Sequence, residues 1–218
     1  PHYRIPGRMI RGAIRDAAAL IAVSAGLKEG LVALGAPPAK VTVLRNGVDL
    51  GLFHPPADRA AARGAAGMAR PTLLSVGHLI ERKGHHHIIR ALQLLPDHDL
   101  LILGEGPERA ALTALVAELG LTGRVRMPGN QPHAALPAFY GAADLLILAS
   151  SREGWANVLL EAMACGTPVL SSPAWGAREA VAAPEAGLVM AETTPEAIAA
   201  GVRRIAATAT DRAATRRY

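Results

Sequence analysis

From residue 70 onward the chain alternates short apolar runs with longer mixed segments. The runs at 72–76, 100–103, 125–127, 144–148, 168–171 and 187–190 are built mainly of Leu, Val and Ile. They are too short for helices, and most lack a polar face, the pattern of strands buried on both sides of a sheet. The segments near 83–95, 107–120, 132–141, 157–165, 176–183 and 195–207 read as helices. Pro107, Pro132 and Pro195 suit helix starts, where a missing amide hydrogen costs nothing. Strands alternating with helices imply an α/β fold with a doubly wound parallel sheet. Ligands bind such a sheet beyond the carboxyl ends of its strands. The loops of interest are therefore VGHLIERKG, GEGPE, PGNQP, SSREGWAN and SPAWGARE.

The first 53 residues do not fit this unit. They read as a helix at 6–19, a strand at 20–23, a helix at 24–35 and a strand at 41–44, followed by the punctuated stretch RNGVDLGLFHPP. The expected division is residues 1–53 as the tail of one Rossmann-like domain with its crossover, and residues 54–218 as a complete second one. Aromatics are 3% of the 218 residues and apolar residues 50%, so the core must be aliphatic. No run of 18 apolar residues occurs, which excludes a helical membrane span in this sequence, and no secretory signal is visible. The single cysteine, Cys165, cannot form an internal disulfide, which fits a reducing cytoplasm.

The net charge of +5 divides unevenly, +4 over residues 1–53 and +1 over the rest. A nearly neutral, aromatic-poor body argues against nucleic acid as a partner. The basic excess includes Arg8, Arg11 and Arg15, which share one face of the 6–19 helix. That face suits either solvent or the anionic surface of a membrane.

The densest chemistry lies in SSREGWANVLLEAMACGTPVLSS. Glu153 falls in a loop after an apolar strand, and Glu161 falls about one turn inside the next helix. Asn157 is the expected N-cap, which would aim free amides past the strand end toward a phosphate. A carboxylate so close to phosphate needs another task. Glu161 suits a ribose diol, as the acidic residue of dinucleotide folds does, leaving Glu153 for sugar hydroxyls. Lys83 and Gly84 end the loop after the first strand of the body, where a lysine can reach a diphosphate.

A Glu, seven residues and a second Glu within EGWANVLLEAMACGTPV resemble the signature of the retaining glycosyltransferases of family four, which have the GT-B fold. The resemblance covers nearly the whole chain and is densest from Leu73 to Val181. It implies transfer of a sugar from a UDP- or GDP-linked donor to a hydroxyl, the chain being mostly the donor-binding half. It implies catalytic roles for Glu153, Lys83 and Glu161. Donor contacts would come from Gly77, His78, Lys83, Gly104, the loop of Met127, Pro128, Gly129 and Asn130, and the stretch Gly154, Trp155, Ala156, Asn157, Val158 and Leu159. The family's diphosphate-binding arginine position is held here by His78, with Arg82 a neighbouring cation. An imidazole in that place predicts donor affinity that weakens from about pH 6 to 8. Glu179 stands where the family shows a Glu after paired glycines, although Trp175-Gly176-Ala177 alters the pair.

No cofactor and no obligatory metal are expected. His85, His86 and His87 are consecutive, so on a helix they fan apart by about 100° each. Asp97-His98-Asp99 precedes a strand and belongs at the other end of the sheet. The acceptor would be a sugar or lipid-linked sugar, and the setting cytoplasmic, at the inner face of a membrane if residues 6–19 touch lipid. The alternatives are a non-catalytic nucleotide-binding module of the same fold and a nucleotide-sugar epimerase.

Overall fold

The computed structural model describes residues 4–208 and 211–218. The chain opens with α1 (Arg4–Asp16), β1 (Leu20–Ala22), α2 (Ala25–Ala33) and β2 (Val41–Val43). β1 and β2 pair in parallel as a two-stranded sheet over a small core of Ile14, Ala22, Ala36 and Val41. Ser24 caps α2 by accepting from the Leu27 amide at 3.1 Å. Lys40 closes the end of α1 by donating to the carbonyls of Arg15 and Ala17. Within α1, Ile14 is buried while Ile10 is exposed. No helix is long and apolar enough to cross a membrane among the described residues.

The body runs α3 (Arg59–Ala65), β3 (Thr72–Val76), α4 (His85–Ala91), β4 (Asp99–Leu103), α5 (Arg109–Glu118), β5 (Val125–Gly129), α6 (Leu136–Ala142), β6 (Leu145–Leu148), α7 (Asn157–Ala164), β7 (Val169–Ser171), α8 (Ala177–Ala180), β8 (Gly187–Val189), α9 (Pro195–Ala207) and α10 (Arg212–Arg217). Its six strands are all parallel, in the order β5-β4-β3-β6-β7-β8. This is the Rossmann-like doubly wound sheet, and the order reverses between β3 and β6.

The apolar runs work on both faces at once. Leu73, Leu100, Ile102, Leu145 and Ile147 point into one core with Ile88, Ile89, Leu112, Val116, Ile198 and Val202. Their neighbours Leu74, Leu101, Leu103, Leu146 and Leu148 point into the other with Tyr140, Leu159 and Met163. The two-residue side-chain period of a strand divides each run between the cores.

Several expectations are corrected. β5 continues two residues past 127, so Met127, Pro128 and Gly129 are strand and only Asn130 begins the loop. Pro128 is tolerated because β5 is an edge strand with a register shift against β4. α3 and α10 were not expected from the pattern, because neither carries a bulky aliphatic stripe. Guanidinium groups tie both down. Arg59, Arg63 and Arg212 donate to the carbonyls of Gly141, Ala142 and Ala143 at the end of α6, and Asp144 pairs with Arg59 and Arg63. Burial pushes the Asp144 carboxyl up, but the Thr72 amide and the two guanidiniums outweigh it and hold it below its ordinary value.

Candidate functional site

The loops beyond β3, β4, β5, β6 and β7 form a continuous rim, joined by backbone hydrogen bonds. The Gly77 amide donates to Leu103, Gly104 to Gly129, Leu79 to Glu105, Ser151 to Arg82 and Ser172 to Leu148, all within 3.1 Å. Close approach fixes the glycines. Gly84 is left-handed at φ 69°, and a Cβ there would overlap the Ala149 carbonyl. A Cβ on Gly104 would overlap the carbonyl of Gly77. These contacts bring the loops of β3 and β6 together at the point where strand order reverses.

There Lys83 and Glu153 meet. Lys83 Nζ donates to Glu153 Oε1 at 2.6 Å, with side chains 20% and 12% exposed. The aliphatic part of Lys83 lies across Gly77. The pair is accessible enough to meet a ligand and dry enough for charge to matter.

Glu161 is held elsewhere on the rim, by neighbours not foreseen from the sequence. The Tyr140 hydroxyl donates to its Oε2 at 2.7 Å, and His133 Nε2 lies 3.8 Å from Oε1. Burial above all, and then the Glu161 charge, raises the Tyr140 pKa well above its ordinary value, so the hydroxyl stays a donor. Phe53 packs edge-on against His133 and tilts against Tyr140. Tyr140 and His133 sit on and before α6, and no sequence signal links them to Glu161. No hydrogen bond or ion pair joins Glu161 to Lys83 among the described residues.

Asn157 is not the N-cap of α7. Ala156 caps the helix without a side-chain hydrogen bond, and Asn157 is its first residue. The Asn157 carboxamide instead accepts from Asn46 Nδ2 at 3.3 Å. The Leu159 amide is engaged by the Ala156 carbonyl, leaving Asn157 and Val158 as the first-turn amides that lack an intrahelical acceptor. Trp155 packs against the second core, and its indole Nε1 is buried without a partner among the described residues.

His78 is exposed on the rim. Arg82 donates to the Arg152 carbonyl at 2.9 Å, binding loop to loop. Arg109 donates to the Met127 carbonyl and pairs with Glu105 at 3.0 Å. Glu105 also closes over Gly129, where a Cβ would sit 2.6 Å from its Oε1.

Glu179 has a larger task than biasing its own helix. Its Oε1 accepts from the amides of Ala25 and Gly26 at 2.8 and 3.3 Å, and its Oε2 accepts both Nε and Nη2 of Arg45. It thereby joins the SPAWGARE loop to the start of α2 and to the crossover. Burial raises its pKa, but Arg45 and the two amides outweigh that and hold it below the ordinary value. Trp175 lies over Gly26 and Gly30 of α2, and Gly176 is wedged between Gly154, Trp155 and Ser24.

His85 turns into the protein toward Ser75, while His86 and His87 stack on each other at 4.1 Å. Among the described residues no three His, Cys, Asp or Glu side chains gather as metal ligands. Asp99 begins β4, at the end of the sheet away from the rim, and pairs with Arg70. Cys165 is buried and its thiol is pushed up to about 12, chiefly by desolvation, so it is inert as a nucleophile.

Comparison with known proteins places this geometry. The family model for glycosyl transferases group 1 matches residues 58–218. The lipopolysaccharide core biosynthesis glycosyltransferase LpsE of Rhizobium meliloti is 38% identical over 141 residues, which is 63% of this chain and 40% of LpsE. Among solved structures, sucrose-phosphate synthase from Thermosynechococcus elongatus superposes with a TM-score of 0.85 at 29% identity, covering 97% of this chain and 54% of that one. Anabaena HepE in complex with UDP superposes with a TM-score of 0.88 at 25% identity, covering 99% of this chain and 63% of that one. The chain thus spans between 40% and 63% of the length of these relatives. It belongs to the glycosyl transferases group 1 family, and its body has the Rossmann-like fold of the GT-B glycosyltransferases.

Proposed function

We propose that the protein takes part in transferring a sugar from a nucleotide diphosphate sugar, UDP- or GDP-linked, to a hydroxyl acceptor with retention of configuration. The observation that carries this is the Lys83–Glu153 pair at the reversal of strand order, on loops locked together by Gly84 and Ser151. A cation beside a carboxylate suits a substrate that joins a diphosphate to a polyhydroxyl ring. Lys83 and the amides of Asn157 and Val158 would stabilise charge developing on the leaving diphosphate, an electrostatic contribution made at the moment of bond breaking. Glu153 would accept hydrogen bonds from the sugar, and Glu161, oriented by Tyr140, from the ribose diol. The leaving phosphate would take the acceptor proton on the face it departs from. This reaction calls on no metal and no further cofactor.

The UDP complex of HepE supports a uridine donor, and the likeness to LpsE supports a saccharide or lipid-linked saccharide acceptor of the cell envelope. In this reading residues 1–53 belong to the acceptor side, and the exposed Arg8, Arg11 and Arg15 would face the inner surface of the membrane from the cytoplasm. The test is release of UDP or GDP from UDP-glucose or GDP-mannose by the purified protein. Release that Glu153→Gln and Lys83→Ala abolish is expected. Tight nucleotide binding with no release under any condition would instead indicate a non-catalytic module.

A further inference from the structure

The candidate donor site pairs its cation with a carboxylate, which suits a sugar diphosphate as a whole but leaves the diphosphate itself short of positive charge. Lys83 is already paired with Glu153, and Glu161 adds a second carboxylate elsewhere on the rim. An incoming pyrophosphate therefore meets one positive and two negative side chains, offset in part by the partial charge of about +0.5 at the α7 N-terminus. A further cation is needed. Arg109 is pinned by Glu105 and the Met127 carbonyl, and Arg82 by the Arg152 carbonyl.

Arg45 is placed differently. It precedes Asn46, whose carboxamide donates to Asn157, the first residue of α7. Its guanidinium carbon lies 6.0 Å from the centre of the Trp155 ring, a side chain of the Glu153 loop. Its side chain is 50% exposed, and its hydrogen bonds go to one oxygen of Glu179. Glu179 keeps other partners without it. The other Glu179 oxygen keeps the amides of Ala25 and Gly26 at the positive end of α2. Losing Arg45 would leave that carboxylate solvated by a helix terminus, so exchange of partners is inexpensive. A diphosphate offers the guanidinium a stronger, bidentate partner than a single carboxylate oxygen.

We propose that Arg45 is a diphosphate ligand held in reserve by Glu179: a nucleoside diphosphate draws the guanidinium past Trp155 onto its phosphates, while Glu179 stays on α2. The inference rests on the donor-site reading above and adds to it a residue of the crossover. It sets the two partners of one ion pair in opposition. Arg45→Gln removes a ligand, whereas Glu179→Gln removes a competitor and still accepts from α2. A purely structural tie between crossover and body would make both changes act in the same direction.

The experiment is calorimetric titration of the purified protein with UDP and GDP, for the wild type, Arg45→Gln, Arg45→Lys, Glu179→Gln and the double variant, each checked by thermal unfolding. Arg45→Gln is expected to weaken binding about tenfold or more, the size of a charge-assisted contact. Arg45→Lys should recover part of it. Glu179→Gln should tighten binding several-fold, and the double variant should match Arg45→Gln. Unchanged affinity in Arg45→Gln, or weakening in Glu179→Gln equal to that in Arg45→Gln, would overturn the proposal while leaving the donor site standing. Should Glu179→Gln fail to fold, the contrast of Arg45→Lys with Arg45→Gln decides, equal affinities overturning it. A wild type that binds neither nucleotide would overturn the site reading and this inference together.

Discussion

Acid should loosen the donor rim from beneath, through His85. This residue begins α4, directly after the Lys83-Gly84 turn, and is 2% exposed. Its Nδ1 lies 3.1 Å from Ser75 Oγ, and its Nε2 has no partner among the described residues. Burial lowers its pKa from 6.5 to about 4, with the charges of Lys83 and His86 acting the same way against the backbone of His78 and Gly77. The unfolded chain therefore takes up the proton as pH falls through 6.5, and the folded chain only near 4. Stability from keeping this ring neutral is complete above the upper value and is lost as pH falls toward the lower one. Between about pH 7 and pH 5 the linkage amounts to about 2 kcal/mol. His86, His87 and His98 are also depressed by burial and add to the acid sensitivity, so the assay must be a difference. Urea denaturation of wild type and His85→Gln at both pH values supplies it. The variant should lose about 2 kcal/mol less than the wild type over that interval, since glutamine does not titrate. Equal losses would refute the reasoning.

Three further outcomes follow from the site. Tyr140→Phe removes the hydroxyl that holds Glu161 and should weaken nucleotide binding several-fold, about 1 kcal/mol by titration, with little change in fold. Gly84→Ala forces a methyl against the Ala149 carbonyl in a left-handed turn and should cost about 2 kcal/mol or more of stability, read by denaturant unfolding. His78→Gln should weaken nucleoside diphosphate binding several-fold in calorimetric titration if the exposed imidazole meets the phosphates; unchanged affinity would show that His78 does not touch them.

The sheet was legible because each strand buries both faces. Leu73 and Leu74, or Leu145 and Leu146, feed opposite cores, so the apolar run survives any choice of face. α3 and α10 were not legible, because arginines meeting the end of α6, rather than an aliphatic stripe, hold them. The loops that gather at the rim followed from parallel topology, and Lys83 and Glu153 lie on two of them, although their ion pair was not foreseen. What surrounds Glu161 did not, since Tyr140 and His133 come from the preceding helix and meet it only through packing. Asn157 looked like a cap by residue type, but its side chain was taken by Asn46, more than a hundred residues earlier. The role of Glu179 was hidden for the same reason: its partners, Ala25, Gly26 and Arg45, lie in the opening segment.

The central claim is that this rim holds a nucleoside diphosphate, with Glu161 on the ribose. Calorimetric titration with UDP, GDP, ADP and NAD, repeated on Glu161→Ala, tests it most directly. Saturable binding of UDP or GDP that the variant loses is the predicted result; tight binding of NAD, or UDP affinity indifferent to Glu161→Ala, would contradict it.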